Sequence, residues 1–429
     1  MGLLLKGGAI FRNGEFQKMD IVLDQGRIVS VGPALSNEGC FTIQLHHEVI
    51  VPGFVDVHVH LREPGFSYKE TIATGTAAGA AGGYTGLCAM PNLIPVPDTA
   101  ENLREQREIL ERDAKIKVYP YGAITRGERG EALAELEALA SDVVGFSDDG
   151  KGVQSREMMR AAMQRAKLVD KPIVAHCEDE TLLTKGWAVH KGEFARIHQL
   201  LGNDPASEWR QVERDLELVR ETGCRYHICH ISTKESVELI RGAKEEGLPV
   251  TCETGPHYLL LCDEELRDDG RFRMNPPIRS AVDRDALIAG LLDGTIDCIA
   301  TDHAPHSAEE KAGGLRNSLN GIVGLECAFA VLYTYLVKPG RIPFEVMLNA
   351  MVRNPRRIFR LPGGEIAPGQ PADLTVLDLK HEGKIDSGRF YSMGKATPFD
   401  RWKVSADVLM TICDGEIVYL RDSIGKEKE

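Results

Sequence analysis

The sequence predicts an α/β protein in which a (β/α)8 barrel of the TIM type is joined to a smaller β-sheet domain formed from both chain termini. Three observations support this. Short strand-like runs occupy both ends of the chain, apolar runs alternate with helical segments between them, and polar side chains follow the ends of those runs. We expect residues 1–52 and 360–429 to form the composite β domain and residues 53–359 to form the barrel.

The two chain ends read as short strands separated by turns. The predicted strands cover residues 21–23, 28–31, 372–377, 408–413 and 416–419. The pairs Asn13-Gly14, Gln25-Gly26 and Asp414-Gly415 lie between or beside such runs, and pairs ending in glycine are typical of tight turns. This pattern indicates one sheet built from both ends.

The central part of the chain has a different rhythm, in which strands alternate with helices. The predicted strands are 53–58, 84–90, 116–122, 143–147, 172–176, 225–230, 248–253 and 296–301, and the predicted helices are 101–113, 131–141, 156–168, 209–222, 233–246 and 283–292. Such alternation favours a closed barrel. An open doubly wound sheet is the alternative, but no GxGxxG loop follows the first strand. The long polar interval after strand 5, with Trp187, His190 and His198, indicates extra helical or loop structure.

The overall composition limits the classes of partner. With 51 basic and 64 acidic residues the net charge is −13, which opposes nucleic-acid binding and leaves the capture of an anionic substrate to local arginines and amides. The ten cysteines include no CxxC pair and read as buried residues of a reducing compartment. Because no signal peptide or membrane-spanning run is evident, we expect a cytoplasmic protein that does not bind membranes.

The most informative motif is the pair His58 and His60 near the end of the first predicted barrel strand. Side chains alternate along a strand, so both imidazoles point the same way and can ligate one metal ion. Arg62 follows, and its guanidinium can take a carboxylate bidentately. The alternative is a strand that merely carries two histidines, which would then need other buried partners.

Further polar residues follow the other strands, and in a barrel these ends meet at one mouth. They are Asn92, Asp148, Asp149, His176, His230 and Asp302. Four histidines and two aspartates suit a pair of borderline ions, for which zinc is the best fit. Asp149 can bridge two ions that share one hydroxide, and Asp302 can also carry a proton to a leaving nitrogen. This arrangement suits hydrolysis of an amide-like C–N bond.

Several assignments have alternatives. His227 and His230 lie on opposite strand faces, and the last position favours His230 as the inward residue. Spacing alone does not decide whether Asp148 or Asp149 is the metal ligand. His306 is a better substrate contact than His303, since a turn through Pro305 can bring it over the mouth. A carbamylated Lys151 as bridging ligand is unnecessary beside Asp149, so a surface lysine is expected. We expect a structural role for His257 and solvent exposure for His46, His47, His190, His198 and His381.

The motifs resemble those of the dihydroorotases of the amidohydrolase superfamily, in the class of the larger bacterial enzymes, over nearly the whole chain. Residues 56–64 (DVHVHLREP) resemble the first family signature, and residues 300–306 (ATDHAPH) followed by Lys311 resemble the second. Residues 146–150 (FSDDG), 227–233 (HICHIST) and 274–279 (MNPPIR) also match. Within the superfamily, the Asn-Pro-Pro sequence that begins at Asn275 favours the dihydroorotases.

The resemblance implies a role for each matching residue. His58, His60 and Asp302 would hold one zinc and His176 and His230 a second, with Asp149 and a hydroxide bridging them where other members use a carboxylated lysine, giving up to two zinc ions per chain. The implied substrate contacts are Arg62, Asn92, Asn275, His306, Asn320 and Gly321. One departure is Leu319-Asn320, where relatives tend to carry Pro or Phe before the glycine; this leaves the stiffness of that loop open.

The implied activity is zinc-dependent, reversible interconversion of N-carbamoyl-L-aspartate and (S)-dihydroorotate in de novo pyrimidine (UMP) biosynthesis. The implied partners are the small-molecule substrate, aspartate transcarbamoylase and further copies of the chain. The nearest rival is a hydantoinase or allantoinase, against which the carboxylate-binding pair Arg62 and Asn92 argues. A non-catalytic scaffolding barrel is a rival of another class, but this chain keeps all six candidate ligands.

Overall fold

A computed structural model of the protein describes residues 2–12, 14–36 and 38–421. In chain order the strands are β1 (Gly2–Arg12), β2 (Glu15–Asp24), β3 (Arg27–Gly32), β4 (Cys40–Gln44), β5 (Val49–Pro52), β6 (Phe54–Val59), β7 (Tyr84–Ala89), β8 (Lys117–Pro120), β9 (Gly122–Ala123), β10 (Phe146–Ser147), β11 (Ile173–Ala175), β12 (Val189–His190), β13 (Gly202–Asn203), β14 (Tyr226–Ile228), β15 (Val250–Thr254), β16 (Cys298–Ile299), β17 (Leu374–Asp378), β18 (Gly383–Lys384), β19 (Lys403–Val404), β20 (Asp407–Cys413) and β21 (Glu416–Leu420). The helices are α1 (Ile72–Ala81), α2 (Ala100–Asp113), α3 (Leu136–Leu139), α4 (Arg156–Leu168), α5 (Glu193–Ile197), α6 (Ala206–Thr222), α7 (Lys234–Glu245), α8 (Pro256–Leu260), α9 (Ala281–Asp293), α10 (Ala308–Lys311), α11 (Gly314–Asn317), α12 (Ala328–Leu332), α13 (Phe344–Leu348) and α14 (Asn354–Phe359). Two π-helical turns, Tyr333–Val337 and Asn349–Arg353, follow α12 and α13.

Two parallel ladders form the centre of the molecule, one in the order β6-β7-β8 and the other in the order β16-β15-β14-β11-β10-β9. Only Tyr121 separates β8 from β9, and its N–H donates to Ala89 O of β7 at 2.9 Å. At the other end a parallel bridge joins Val59 of β6 to His303, just beyond β16. The predicted fold class is confirmed, although among the described residues the ladder is not one unbroken ring.

A buried carboxylate replaces ladder hydrogen bonds where β6 meets β16. Asp56 accepts from the N–H of His58 at 3.0 Å and from the N–H of Thr301 at 3.0 Å. A backbone N–H buried away from water needs an acceptor, and here a side chain supplies it instead of a carbonyl. Regular pairing therefore stops, yet the two strand ends remain side by side.

Most predicted helices lie within three residues of their predicted bounds, and Arg156–Leu168 has the bounds expected. The exception is the helix predicted at 131–141, of which only Leu136–Leu139 is helical. In the preceding segment the N–H of Ala134 donates to Ile124 O at 3.0 Å. The backbone there bonds to the loop after β9, so it is not available for a longer helix.

A second layer is an eight-stranded sheet made from both chain ends, in the order β21-β20-β17-β5-β1-β2-β3, with β4 also paired to β1. In β5, Ile50 pairs with Ile10 of β1 on one side and with Val376 of β17 on the other. All three side chains are buried in the apolar core of the sheet. Through Gly53, β5 runs directly into β6, so the sheet holds the start of the first central strand.

The predicted contribution of both termini to one sheet is confirmed, while the domain boundaries after residues 52 and 359 stay predictions. Asn13, the first residue of the predicted Asn13-Gly14 turn, lies outside the described residues, as do residues 422–429 of the predicted β domain.

The interval between β11 and β14 forms the extra structure predicted, with β12 paired in parallel to β13. The prediction that His190 faces solvent is wrong. His190 is 7% exposed, and its Nδ1 lies 3.4 Å from Nη1 of Arg279. The buried guanidinium of Arg279 also donates to Asn203 Oδ1 at 2.9 Å. Asn203 of β13 supplies acceptors to this buried charge, and His190 of the paired strand β12 is buried beside it.

The other predictions about exposure are mostly confirmed. His46, His47, Lys151 and His198 are exposed, and His381 is half-buried. Among residues 2–12, 14–36 and 38–421, no helix has the length and apolar character needed to cross a membrane.

Candidate active site

Side chains from the ends of the parallel strands converge on a cavity of about 180 Å³. Its lining consists of His60, Arg62, Asn92, Asp149, Gly150, His176, His230, Asn275, Asp302, Ala304, His306, Asn320 and Gly321. Every predicted site residue lines it except His58, which is fully buried beside it. A larger cavity of about 600 Å³ opens at the opposite ends of the strands, but Arg225 and Arg360 there are already paired with Asp170. The smaller cavity is therefore the candidate active site.

Two groups of possible metal ligands meet at Asp149. His58, His60 and Asp149 form one group, and Asp149, His176 and His230 form the other; within each group the ligating atoms lie within 4.8 Å of one another. Asp149 Oδ1 is 3.4 Å from His58 Nε2 and 3.5 Å from His230 Nε2, while its Oδ2 is 3.4 Å from His60 Nε2. One carboxylate thus faces both groups.

Asp302 lies against the first of these groups. Its Oδ1 is 3.0 Å from His60 Nε2 and 3.5 Å from His58 Nε2. Its backbone φ is +47°, a left-handed conformation that is rare for residues other than glycine, asparagine and aspartate. This turn directs the carboxylate into the cavity at the end of the last central strand.

The atoms that face the shared space are short of partners. His58 Nε2 and Asp149 Oδ1 are buried, and neither has a hydrogen-bond partner among the described residues. Buried polar atoms are rarely left unpaired, because their desolvation is not repaid. A cation between them would satisfy both, and imidazole with carboxylate is a donor set that suits zinc. The residues present therefore fit a bound metal.

The electrostatics of the cluster also favour a cation. Burial opposes ionisation of Asp149, but the neighbouring His58, His230 and His60 outweigh it and hold the pKa of Asp149 well below its usual range. Burial likewise opposes protonation of His58, yet Asp149, Glu253 and Asp302 raise the pKa of His58 well above its ordinary value. Carboxylates thus dominate the local potential, and positive charge is stabilised there.

Two residues orient His58 of β6 and His60 just beyond it from outside the cluster. Nδ1 of His58 donates to Glu253 Oε1 at 2.6 Å, and Nδ1 of His60 donates to Asn92 Oδ1 at 2.9 Å. Each bond fixes the ring so that Nε2 faces the metal position, the usual arrangement for ligating histidines. The neighbouring histidines outweigh burial and lower the pKa of Glu253 to about 2, so it is ionised.

The sequence analysis missed Glu253 and Glu178. Glu253 is the last residue of the strand predicted at 248–253, so the strand-end rule that found Asp302 could have found it. Glu178 follows His176 by two positions; its Oε2 lies 3.6 Å from His176 Nε2 and accepts from Asn275 Nδ2 at 3.1 Å. No motif in the sequence pointed to Glu178.

The structure separates the two adjacent aspartates that spacing left open. Asp148 Oδ1 accepts from the N–H groups of Ile124 and Thr125 at 2.8 and 3.0 Å, and Oδ2 accepts from the Thr125 hydroxyl. Asp148 therefore holds the loop after β9, whereas Asp149 faces the cavity. His227, as expected, is packed away from the cavity, with Nδ1 2.7 Å from Thr251 Oγ1.

On the far side of the cavity, His306 is held in one orientation. Its Nε2 donates to Asn320 O at 2.7 Å, and its Nδ1 lies 3.3 Å from the buried Lys69 Nζ. Burial, Arg62 and Lys69 lower the pKa of His306 to about 3, so the ring is neutral. Arg62 Nε donates to Pro305 O at 3.2 Å, which leaves its other nitrogens toward the cavity. Lys69 is a further residue that no sequence pattern indicated.

His257 is buried, and neither ring nitrogen has a hydrogen-bond partner in the part of the chain that the structure describes. Burial lowers its pKa to about 4, so the ring is neutral and packs at 4.0 Å from the Tyr258 ring. Its predicted structural role stays a prediction.

Comparisons with known proteins agree with this geometry. A family model described as Dihydro-orotase-like matches residues 47–236. A dihydroorotase from Fusobacterium nucleatum subsp. nucleatum is 45% identical over 419 residues, covering 97% of this chain and 98% of that protein. A dihydroorotase from Bacillus caldolyticus is 48% identical over 425 residues, covering 98% and 99%.

Solved structures show the same architecture. An L-hydantoinase (dihydropyrimidinase) from Arthrobacter aurescens has a TM-score of 0.84 at 26% identity and covers 99% of this chain and 97% of that one. A dihydropyrimidinase from Brevibacillus agri NCHU1002 has a TM-score of 0.85 at 21% identity, covers 99% and 96%, and supports the fold alone. With relatives at 45–48% identity over nearly its whole length, the chain is an enzyme that hydrolyses cyclic amides and belongs to the dihydroorotase family.

Proposed function

We propose that the enzyme catalyses the reversible interconversion of N-carbamoyl-L-aspartate and (S)-dihydroorotate, as a zinc-dependent step of de novo pyrimidine biosynthesis. The observation that carries the proposal is one cavity that joins a metal-ligand cluster to a carboxylate-binding group. Asp149 and Asp302 line it together with Arg62 and Asn92. The substrate of this reaction needs both, since it carries a cyclic amide and a carboxylate.

In this proposal His58, His60 and Asp302 hold one zinc, His176 and His230 hold a second, and Asp149 contacts both. The chemistry that zinc supplies when bound is polarisation of a carbonyl and a lowered pKa for water. The unpartnered atoms His58 Nε2 and Asp149 Oδ1 support this assignment. The remaining steps fall to side chains of the protein.

Asp302 is assigned the proton transfer. Neighbouring histidines outweigh burial and hold its pKa below the usual range, so it is an ionised base at neutral pH. In ring opening it takes the proton from the attacking water and gives it to the ring nitrogen as the C–N bond breaks. In cyclisation it takes a proton from the carbamoyl nitrogen and returns it to the departing water.

Arg62 and Asn92 are assigned the substrate carboxylate. A guanidinium fork matches two carboxylate oxygens. Because Asn92 Oδ1 is used by His60, its Nδ2 is the group that remains to donate to substrate. The same side chain therefore orients a metal ligand and binds the carboxylate, which links the two halves of the cavity.

Asn275, His306, Asn320 and Gly321 are assigned to the ring of the substrate. Asn275 Oδ1 is buried without a hydrogen-bond donor among the described residues, so it can accept from a ring N–H. At Asn320 and Gly321 the main chain supplies contacts that any residue can make. His306 fixes Asn320 from the side through its 2.7 Å hydrogen bond.

The test compares substrates on one preparation. Protein purified without chelator should contain up to two zinc ions per chain by elemental analysis. It should turn over dihydroorotate and carbamoyl aspartate, and it should turn over hydantoin and allantoin poorly because they lack the carboxylate. Preference for the uncharged rings would contradict the substrate assignment, and full activity without bound metal would contradict the zinc assignment.

The proposal extends to the setting of the enzyme. Aspartate transcarbamoylase forms N-carbamoyl-L-aspartate, the substrate proposed here, so we propose that the enzyme associates with that transferase. We also propose that it is cytoplasmic and forms homo-oligomers. Light scattering of the purified protein, alone and mixed with the transferase, measures both associations. A monomer whose mass does not change in the mixture would contradict them.

A further inference from the structure

Lys311 makes an unusual set of contacts at the end of α10. It is 8% exposed, and its Nζ donates to three backbone carbonyls: Leu319 O at 2.7 Å, Gly321 O at 2.7 Å and Arg273 O at 3.0 Å. A lysine ammonium has three donors and no acceptor. Each donor is matched by one carbonyl, so the group is fully satisfied inside the protein.

The carbonyls that Lys311 binds belong to two segments of the cavity wall. Leu319 and Gly321 flank Asn320, and Arg273 is two residues before Asn275. The segments are also tied directly, because the N–H of Gly321 donates to Arg273 O at 3.0 Å. One side chain therefore gathers the two stretches of main chain that face the substrate.

Apart from the bonds from Lys311, single hydrogen bonds hold the loop. Leu319 and Asn320 are exposed and lie outside regular secondary structure. Residues 313–321 include neither proline nor an aromatic side chain. The single hydrogen bonds run from Leu319 N–H to Glu310 O at 3.0 Å, from Ser318 Oγ to Lys311 O at 3.0 Å and from His306 to Asn320 O, in addition to the bond from Gly321 N–H.

We propose that Lys311 is a positioning residue that presets the main chain at Asn320 and Gly321 for the ring of the substrate. The inference rests on the proposed function for the identity of that substrate.

Lys311→Met tests this, since it keeps the length of the side chain and removes all three donors. Amide hydrogen exchange over residues 318–322 should become at least about tenfold faster, and KM for dihydroorotate should rise at least about tenfold, the scale of losing bonds to a charged group. kcat at saturation should stay within about threefold, and zinc content should not change.

Lys338→Met is the matched control. Lys338 is exposed, and its side chain makes no hydrogen bond or ion pair among the described residues, so neither exchange nor KM should move. If Lys311→Met does not fold, Lys311→Gln, with two donors on a shorter side chain, carries the same two measurements and should show a smaller change in the same direction.

Unchanged exchange and KM in the folded variant would overturn the proposal, and so would a loss confined to kcat. If the wild-type protein does not act on dihydroorotate, the proposed function is wrong, but the proposed role of Lys311 in holding the loop is not affected. The exchange measurement needs no substrate and still decides whether Lys311 holds the loop.

Discussion

The two sides of the cavity are built in different ways. On the metal-facing side, His58, His176 and Asp302 leave the ends of strands and are all more than nine-tenths buried. On the opposite side, Leu319 and Asn320 are exposed loop residues whose carbonyls are held by side chains reaching from elsewhere. The sheet fixes the first set together, whereas the second set depends on individual bonds that can be removed one at a time.

This difference predicts two kinds of variant. Changes at strand ends should remove metal or chemistry, while changes on the loop side should weaken substrate binding and leave the metal in place. A strand-end variant that weakens only substrate binding, or a loop variant that loses metal, would show that the two sides depend on each other.

The largest effect is expected from Asp149→Asn, with Asp148→Asn as its neighbour and control. Asp149 faces both ligand groups, so its loss should lower zinc below one per chain and reduce activity by about 10³-fold. Asp148→Asn should keep zinc and instead lower the free energy of unfolding by about 1–3 kcal/mol, because it weakens bonds to the Ile124–Thr125 backbone. Elemental analysis and denaturant unfolding measure the two outcomes, and equal zinc loss in both variants would contradict the assignment.

Asp302→Asn should cost about 10²-fold or more in activity with partial retention of zinc, the scale of a lost general acid–base. Asp302 starts as the ionised carboxylate in both directions, and its pKa is held below the usual range, so hydrolysis and cyclisation should both lose the acidic limb of the pH profile. Near-normal rates with both limbs intact would leave Asp302 as a ligand only.

Glu253→Gln separates orientation of a ligand from ligation. Gln can still accept from His58 Nδ1, but it loses the charge that holds the ring, so the affinity for zinc should fall by about 10–100-fold. At saturating zinc, kcat should approach that of the wild type. Titration with a competing chelator gives the affinity, and an unchanged dissociation constant would show that burial alone fixes His58.

The smallest effect is expected from Arg62→Lys, at a residue assigned to the substrate carboxylate. A lysine point charge cannot reproduce the guanidinium fork, so kcat/KM for dihydroorotate should fall at least about tenfold, or about 1.4 kcal/mol. Zinc content should be that of the wild type. Kinetics equal to the wild type would place Arg62 outside the substrate site.

The metal-facing side could be predicted from the sequence because side chains alternate along a strand and because the carboxyl ends of barrel strands meet at one mouth. His58 and His60 follow from the period of two, and His176, His230 and Asp302 follow from their place at strand ends. Glu253 obeys the same rule.

The other contacts could not be predicted, because they depend on where long side chains reach after folding. Lys311 bonds to carbonyls from two separate segments, and Lys69 approaches His306 across the mouth. The buried His190 packs against Arg279, which lies 89 positions later. The periodicity of a sequence does not predict such contacts between side chains that are distant along the chain.

The position of β5 in the sheet has a consequence for biosynthesis. Ile50 pairs with Val376, a residue translated 326 positions later. Strand β6, which carries His58 and ends just before His60, continues directly from β5. Pairings of such high contact order form late, since long loops must close before they contribute. On the ribosome, the histidine pair therefore stays attached to an unfinished sheet until almost the whole chain has emerged. Maturation of the metal centre belongs after translation, when both ends of the chain have met.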